Sequence, residues 1–207
     1  MSRPRAGAGI AVLTVLAAAV AVPDAAAAAT PADATPPALL DAASLQGFYA
    51  VSGVVTAAVG VPSEHRGERV SRRWTFIPPD SCSSGQCATI ELIRTRAGGT
   101  DELPLTRSGP AVYSGTGAFL APVRCHGRIY RKGQLAAFTI TVRITAAVAQ
   151  GAAVQATGFA ATYTGARRIG LTRCVNPPSH DAARYAGTQP AAAATRRLAS
   201  TRSSTGS

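Results

Sequence analysis

The chain has 207 residues, of which 46% are hydrophobic, 15% charged and only 5% aromatic. That length suits one domain with tails, and the apolar share excludes wholesale disorder. Gly 20 and Pro 14 fall short of a collagen-like or low-complexity composition. Lys+Arg 21 against Asp+Glu 10 leaves a formal charge of +11, and Lys132 is the only lysine. Such a charge attracts polyanions but says nothing about fold. The arginines stand singly or in pairs (Arg72-Arg73, Arg167-Arg168, Arg196-Arg197), and no nucleic-acid motif occurs. Specific nucleic-acid recognition is therefore disfavoured, and affinity for an anionic envelope polymer remains open.

At the start of the chain, Arg3 and Arg5 precede an apolar stretch at residues 10–22, too short for a comfortable membrane span. Pro23-Asp24 and the alanines at 25–29 follow it. Residues 1–29 read as a signal peptide, cleaved near Ala27 or Ala29, with an uncleaved N-terminal anchor as the alternative. The expected location is secreted, extracellular or envelope-associated, with no transmembrane segment after cleavage. Residues 30–43 are Pro/Ala-rich and read as an extended linker. Residues 188–207 hold Ala, Ser, Thr and Arg, and read as a disordered tail. A domain of residues 44–187 is left.

Period-2 alternation dominates that domain. Tyr49, Val51, Gly53, Val55 and Val59 share one face of a first strand. Val70, Arg72, Trp74 and Phe76 share a face of the second, with Arg69, Ser71, Arg73 and Thr75 opposite. Ile90 and Leu92 mark a strand at 87–95, and Leu103 and Leu105 a short one. Tyr113, Gly115, Gly117 and Phe119 line another. After a longer connection at 121–134 comes the clearest strand, 137–148, with Phe138, Ile140, Val142, Ile144, Ala146 and Val148 on one face. Gln150-Gly151 then turns the chain into 152–164, which carries Val154, Ala156, Gly158 and Ala160. One buried and one wet face is the mark of antiparallel sheet. About seven or eight strands in sequence predict an all-β, antiparallel up-and-down meander that closes, or nearly closes, into a barrel, with a β-sandwich as the alternative. The glycines at 53, 115, 117 and 158 suit sharp strand bending.

The four cysteines, Cys82, Cys87, Cys125 and Cys174, are an even set within the domain and allow three connectivities. Cys82 and Cys87 bracket Ser83-Ser84-Gly85-Gln86, a turn composition, so they pair, leaving Cys125 with Cys174 at the end of the last strand. The metal alternative, Cys125-His126 with Cys174 and His180, matches no zinc spacing. Disulfides fit an exported chain.

Several segments resemble a class of uncharacterised exported proteins and extracellular domains of actinobacteria. They are Trp74-Thr75-Phe76 with Pro79 and the Cys82-to-Cys87 loop, Tyr113-Ser114-Gly115-Thr116-Gly117, Arg124-Cys125, Cys174, and the closing stretch from His180-Asp181 to Tyr185 and Gly187. The resemblance implies architecture and export, and no reaction. More distantly the meander is similar to lipocalin and calycin barrels, which hold small apolar ligands. Those carry Gly-x-Trp on the first strand, whereas this chain has Gly47-Phe48-Tyr49 and its sole tryptophan on the second.

No catalytic constellation is recognised. His65 lies in a polar loop, His126 follows a cysteine, and His180 neighbours Asp181, whose side chain points elsewhere on a strand. The acids Glu64, Glu68, Asp80, Glu91, Asp101 and Glu102 fall mostly in predicted loops. No G-x-S-x-G turn or phosphate loop occurs, and no cofactor or metal is expected. A closed barrel is either filled by its own side chains or leaves a pocket. The pocket candidates are Arg72, Trp74, Phe76, Tyr113 and Phe138, with Arg72 an inward cation or a marker of the mouth. Three functions remain: an exported non-enzymatic module binding a protein or envelope polymer, a calycin-like carrier of a small apolar ligand, and a hydrolase with an unrecognised site.

Overall fold

The computed structural model describes residues 35–190, apart from 83–86, 97–98 and 175–177. The expected signal peptide, and the tail beyond residue 190, lie outside the described residues. Seven strands follow one another, each hydrogen-bonded to the next: β1 (Gly47–Val59), β2 (Arg69–Ile77), β3 (Thr89–Arg96), β4 (Gly99–Gly109), β5 (Val112–Cys125), β6 (Arg128–Gln150) and β7 (Ala153–Gly165). A two-residue strand, β8 (Ile169–Gly170), adds to the far edge of β6. The last, β9 (His180–Thr188), enters between β7 and β1 and completes the ring. The result is an eight-stranded, closed, antiparallel barrel plus one extra strand. Closure leaves no free sheet edge in the ring, which is the physical advantage of a barrel over an open meander of this length.

Alternation puts one face of each strand inside. Tyr49, Val51 and Val55 of β1, Trp74 and Phe76 of β2, Ile90 and Leu92 of β3, and Phe138 to Ile144 of β6 are buried at every second position. Each such side chain contributes about 1.5–3 kcal/mol on leaving water. Bulges on β1 and β6 break the phase. β1 slips between Val55 and Ala57, so Val59 is exposed; β6 slips between Ile144 and Ala147, so Ala147 turns inward and Val148 outward. The uninterrupted alternation read for both strands is corrected at those points, because an extra residue flips every later side chain.

Three further features differ from the sequence reading. The stretch 121–134 is no loose connection: β5 and β6 continue through it as a hairpin, with Cys125 opposite Arg128 and positive φ at both His126 (48°) and Gly127 (76°). That pair of left-handed residues makes the tight turn that fits strand twist. Within the Pro/Ala-rich stretch, Pro37–Ala42 form a helix, α1, started by Pro37 in the first turn. Thr188, expected in the tail, ends β9.

Glycine has a steric role more than a bending one. Gly53 faces Tyr185, Gly117 faces Phe138 and Gly187 faces Phe159 as direct cross-strand partners. A Cβ at Gly53, Gly117 or Gly187 would sit 2.3, 2.5 or 2.2 Å from the opposing ring. Each ring lies flat over a bare backbone, a pairing that lets a narrow barrel hold large aromatics. Gly158 lies opposite Ala146 at the β6 bulge.

The barrel has two unlike ends. At one, Tyr49, Trp74, Phe76 and Phe159 form a ring cluster with centroids 5.3–6.4 Å apart, and Trp74 stacks on Phe159. Leu39 and Leu40 of α1 and the buried Ala43 and Leu45 pack against this core. Polar stitching fastens them. Ser44 bridges to Gln155, Tyr49 Oη donates to the Ala156 carbonyl at 2.6 Å, and Arg107 pairs with Asp41 at 2.9 Å. That end is filled and covered.

Candidate functional site

The opposite end is not filled. There the inward positions of successive strands carry polar side chains, and they surround a cavity of about 560 Å³. The two-residue period that aims Trp74 inward also aims Arg72 and Val70 inward. The period that buries Ile90 and Leu92 buries Arg94 and brings in Arg96. On β5 it presents Phe119 and Ala121, on β7 Tyr163, and on β9 Asp181, Ala183 and Tyr185. Ser63, Glu64 and Glu68 come from the β1–β2 loop, and Arg168 from the link after β7. Exposed lining residues such as Ser63, Ser71 and Pro122 open the cavity to water on one side.

Five arginines line this mouth against three carboxylates, and their states differ. Arg94, 6% exposed, faces Asp101 across the β3–β4 hairpin and pairs with it. Its guanidinium also lies 4.1 Å from the Phe138 ring and 5.5 Å from that of Tyr163. Arg96 reaches Asp101 at 3.4 Å and covers Phe119 at 4.0 Å. Both cations are thus committed to the wall: ion pairing and ring stacking offset the cost of burying charge.

Arg168 and Arg72 are less committed. Arg168 Nη2 donates to Asp181 Oδ1 at 3.0 Å, with both side chains buried, but its Nε has no hydrogen-bond partner among the described residues. Arg72 donates once, to the Ser71 carbonyl at 3.0 Å, and enters no ion pair among the described residues. Beside them Tyr163, 5% exposed, has a hydroxyl with no hydrogen-bond partner among the described residues. Burial, followed by the facing Asp181 charge, pushes its ionisation far above the usual tyrosine range. Together, burial and the nearby Asp181 carboxylate keep Tyr163 a neutral O–H donor. Glu64 is shifted upward too, first by burial and then by Asp181, with Arg168 and Arg72 opposing. Unmatched donors in a buried wall are costly unless something else completes them.

The sequence candidates divide between the two ends. Arg72 and Trp74 line the cavity, Arg72 at the mouth and Trp74 where cavity meets packed core. Phe76 and Tyr113 lie within the packed half, where Tyr113 Oη donates to the Cys87 carbonyl. Phe138 lies behind the wall, under Arg94. His65, His126 and His180 are all exposed and none lines the cavity. Arg94, Arg168, Tyr163 and the Asp101 and Asp181 partners were missed. A charged residue ends a hydrophobic count even where the strand period carries on through it. The usable signal was Arg94-x-Arg96 set against Asp101 with the glycine pair 98–99 between them in sequence.

The cysteines pair as expected, Cys82 with Cys87 and Cys125 with Cys174, at Cα separations of 5.6 and 6.1 Å. The second bridge joins the tip of the β5–β6 hairpin to the segment before β9, and not to the end of the last strand. Bonded to each other, these sulfurs are not metal ligands, and among the described residues no group of three or more His, Cys, Asp or Glu is placed to hold an ion. No helix among them is long and apolar enough to cross a membrane. Comparison with protein-family models, curated proteins and solved structures found no match.

Proposed function

We propose that this is an exported, non-enzymatic binding domain whose mouth cavity takes a small molecule with an acidic group and an apolar body. The observation that carries the reading is the cavity of about 560 Å³ in which, among the described residues, Tyr163 Oη and Arg168 Nε have no hydrogen-bond partner and Arg72 has no ion pair. A carboxylate or similar anion accepts from all three kinds of donor, and charged hydrogen bonds of this type are the strong ones. Phe119, Trp74, Ala183 and Val55 supply apolar wall for the remainder of such a molecule. The volume is in the range of small-molecule sites. Within the three functions left open by composition, this favours the carrier, altered in one respect: the ligand is amphipathic, because the wall is too polar for a purely apolar one.

Trp74 is the sole tryptophan and lines the cavity, so its fluorescence reports occupancy. Titration with decanoate is expected to shift the emission, and decanol, of equal chain length, to bind roughly tenfold or more weakly. Arg72→Ala should weaken decanoate by a similar factor while leaving the melting temperature unchanged. The reading is wrong if neither ligand perturbs Trp74 and a native mass spectrum of the purified protein shows no released small molecule. Equal binding of acid and alcohol would overturn the acidic-group assignment.

A further inference from the structure

A second feature is independent of the cavity. β4 pairs with β5 only between residues 106–109 and 112–114, and β7 pairs with β6 only from Phe138 onward. Past those points β5 and β6 keep pairing with each other; Ala121 and Gln134 are still buried partners, and beyond them the two strands run as an exposed arm to the His126-Gly127 turn. On its own a hairpin in water is marginal. This one is held by β8 along the β6 edge, through Gln134 and Leu135, and by the Cys125–Cys174 bridge at its tip. It is therefore a fixed projection that adds little to the core.

Its surface has an unusual composition. Between Glu102 and Asp181 the sequence contains no acidic residue. On the arm and the segment bridged to it, Arg124, Arg128, Arg131, Lys132 and Arg173 are all exposed. Among them stands apolar surface. Leu120, Leu135 and Ile169 are cross-strand neighbours in one row across β5, β6 and β8. Leu171 follows two positions beyond Ile169, and Ile129 lies opposite Arg124 near the tip. Ile129, Ile169 and Leu171 are 60%, 58% and 53% exposed. A face merely soluble in water does not need aliphatic side chains at the most exposed points of a projection, and a face for a soluble polyanion needs only the cations. Aliphatic residues that enter the acyl boundary, collared by cations at headgroup level, suit the interface of an anionic bilayer.

We propose that the β5–β6 arm docks the protein onto anionic lipid bilayers, with Ile129, Ile169 and Leu171 entering the interface and Arg124, Arg128, Arg131 and Lys132 engaging headgroup phosphates. The arm lies beside the cavity, since Phe119, Ala121 and Pro122 of β5 line the mouth, so docking places the mouth close to the lipid.

Co-sedimentation of the full chain with vesicles tests this, using phosphatidylcholine with 30% phosphatidylglycerol against phosphatidylcholine alone (the ~30% sets an ordinary anionic surface). Strong binding to the first, falling with added salt, is expected. Arg128→Gln with Lys132→Gln should weaken it about tenfold or more. Ile129→Ser with Ile169→Ser should weaken it without changing the salt dependence. The control, Arg143→Gln with Arg184→Gln, removes the same charge from exposed barrel positions and should do little. All variants share the same termini, so differences among them report the arm, and thermal melts verify that each is folded. Equal loss in the control and arm charge variants overturns the proposal. So does unchanged binding in the Ile variant, above all if soluble dextran sulfate then binds as tightly as vesicles, which would make the arm a polyanion surface.

Discussion

One barrel carries two solutions to the same geometric problem. At the end covered by α1, inward positions hold Tyr49, Trp74, Phe76 and Phe159, whose rings interlock and exclude water. At the mouth the same alternation delivers Arg72, Arg94, Tyr163 and Asp181, and the space between them stays open. The strands are shared, so backbone geometry does not set the difference. Side-chain identity does: aromatics opposite glycines fill the interior, whereas arginines must keep near their carboxylates and rings and cannot converge on the axis. The first end is packed shut, whereas the second keeps open space and cations that are only partly committed to its wall.

The contrast predicts a graded series of effects. Phe159→Ala, at the packed end, removes a ring that contacts Tyr49, Trp74 and Phe76 and should cost about 3–5 kcal/mol in denaturant unfolding. Asp101→Ala strands the buried Arg94 and should cost about 3 kcal/mol, showing that committed mouth residues are structural. Glu64→Gln should act with a pH dependence. Burial lifts the Glu64 carboxyl above its ordinary 4.5. Its penalty on the folded state is absent below that value and develops as pH rises, so the variant should melt higher than wild type at pH 7 and equally at pH 3. Arg72→Ala should change stability by less than about 0.5 kcal/mol. A loss as large as that of Asp101→Ala would erase the distinction between committed and available cations. Smallest, and away from both ends, His126→Gly should stabilise by a few tenths of a kcal/mol, since it removes a side chain from a left-handed turn position; equilibrium unfolding resolves it.

Much of this architecture was legible because one face of each strand is wet and the other dry. β6 is the plainest case, with Phe138 to Ile144 alternating against Thr139, Thr141 and Arg143. The illegible parts lack that contrast. In the arm every residue from His126 to Lys132 is exposed, so no period shows there, and a turn signal as brief as His126-Gly127 passes for loop. β9 does alternate, but its inward set, Asp181, Ala183, Tyr185 and Gly187, is small or polar. What its small residues make room for, the Phe159 ring over Gly187, belongs to β7 and shows only once the two strands are known to pair. Bulges are likewise invisible, since they depend on the partner strand. Of the site, Arg72 and Trp74 could be read from one strand; the Arg168–Asp181 pair required knowing that β9 returns beside β7.

That return has a consequence in time. Pairings from β1 through β7 join consecutive segments and can form as each hairpin emerges, but β9 must pair Gly187 with Val51, across almost the whole domain. Until His180–Thr188 arrive, β1 and β7 each present an unsatisfied edge, the situation in which partly folded chains associate wrongly. Asp181 and Tyr185 arrive on that same strand. The cavity thus has no existence in any shorter nascent chain, and ring closure and assembly of the mouth are a single late event.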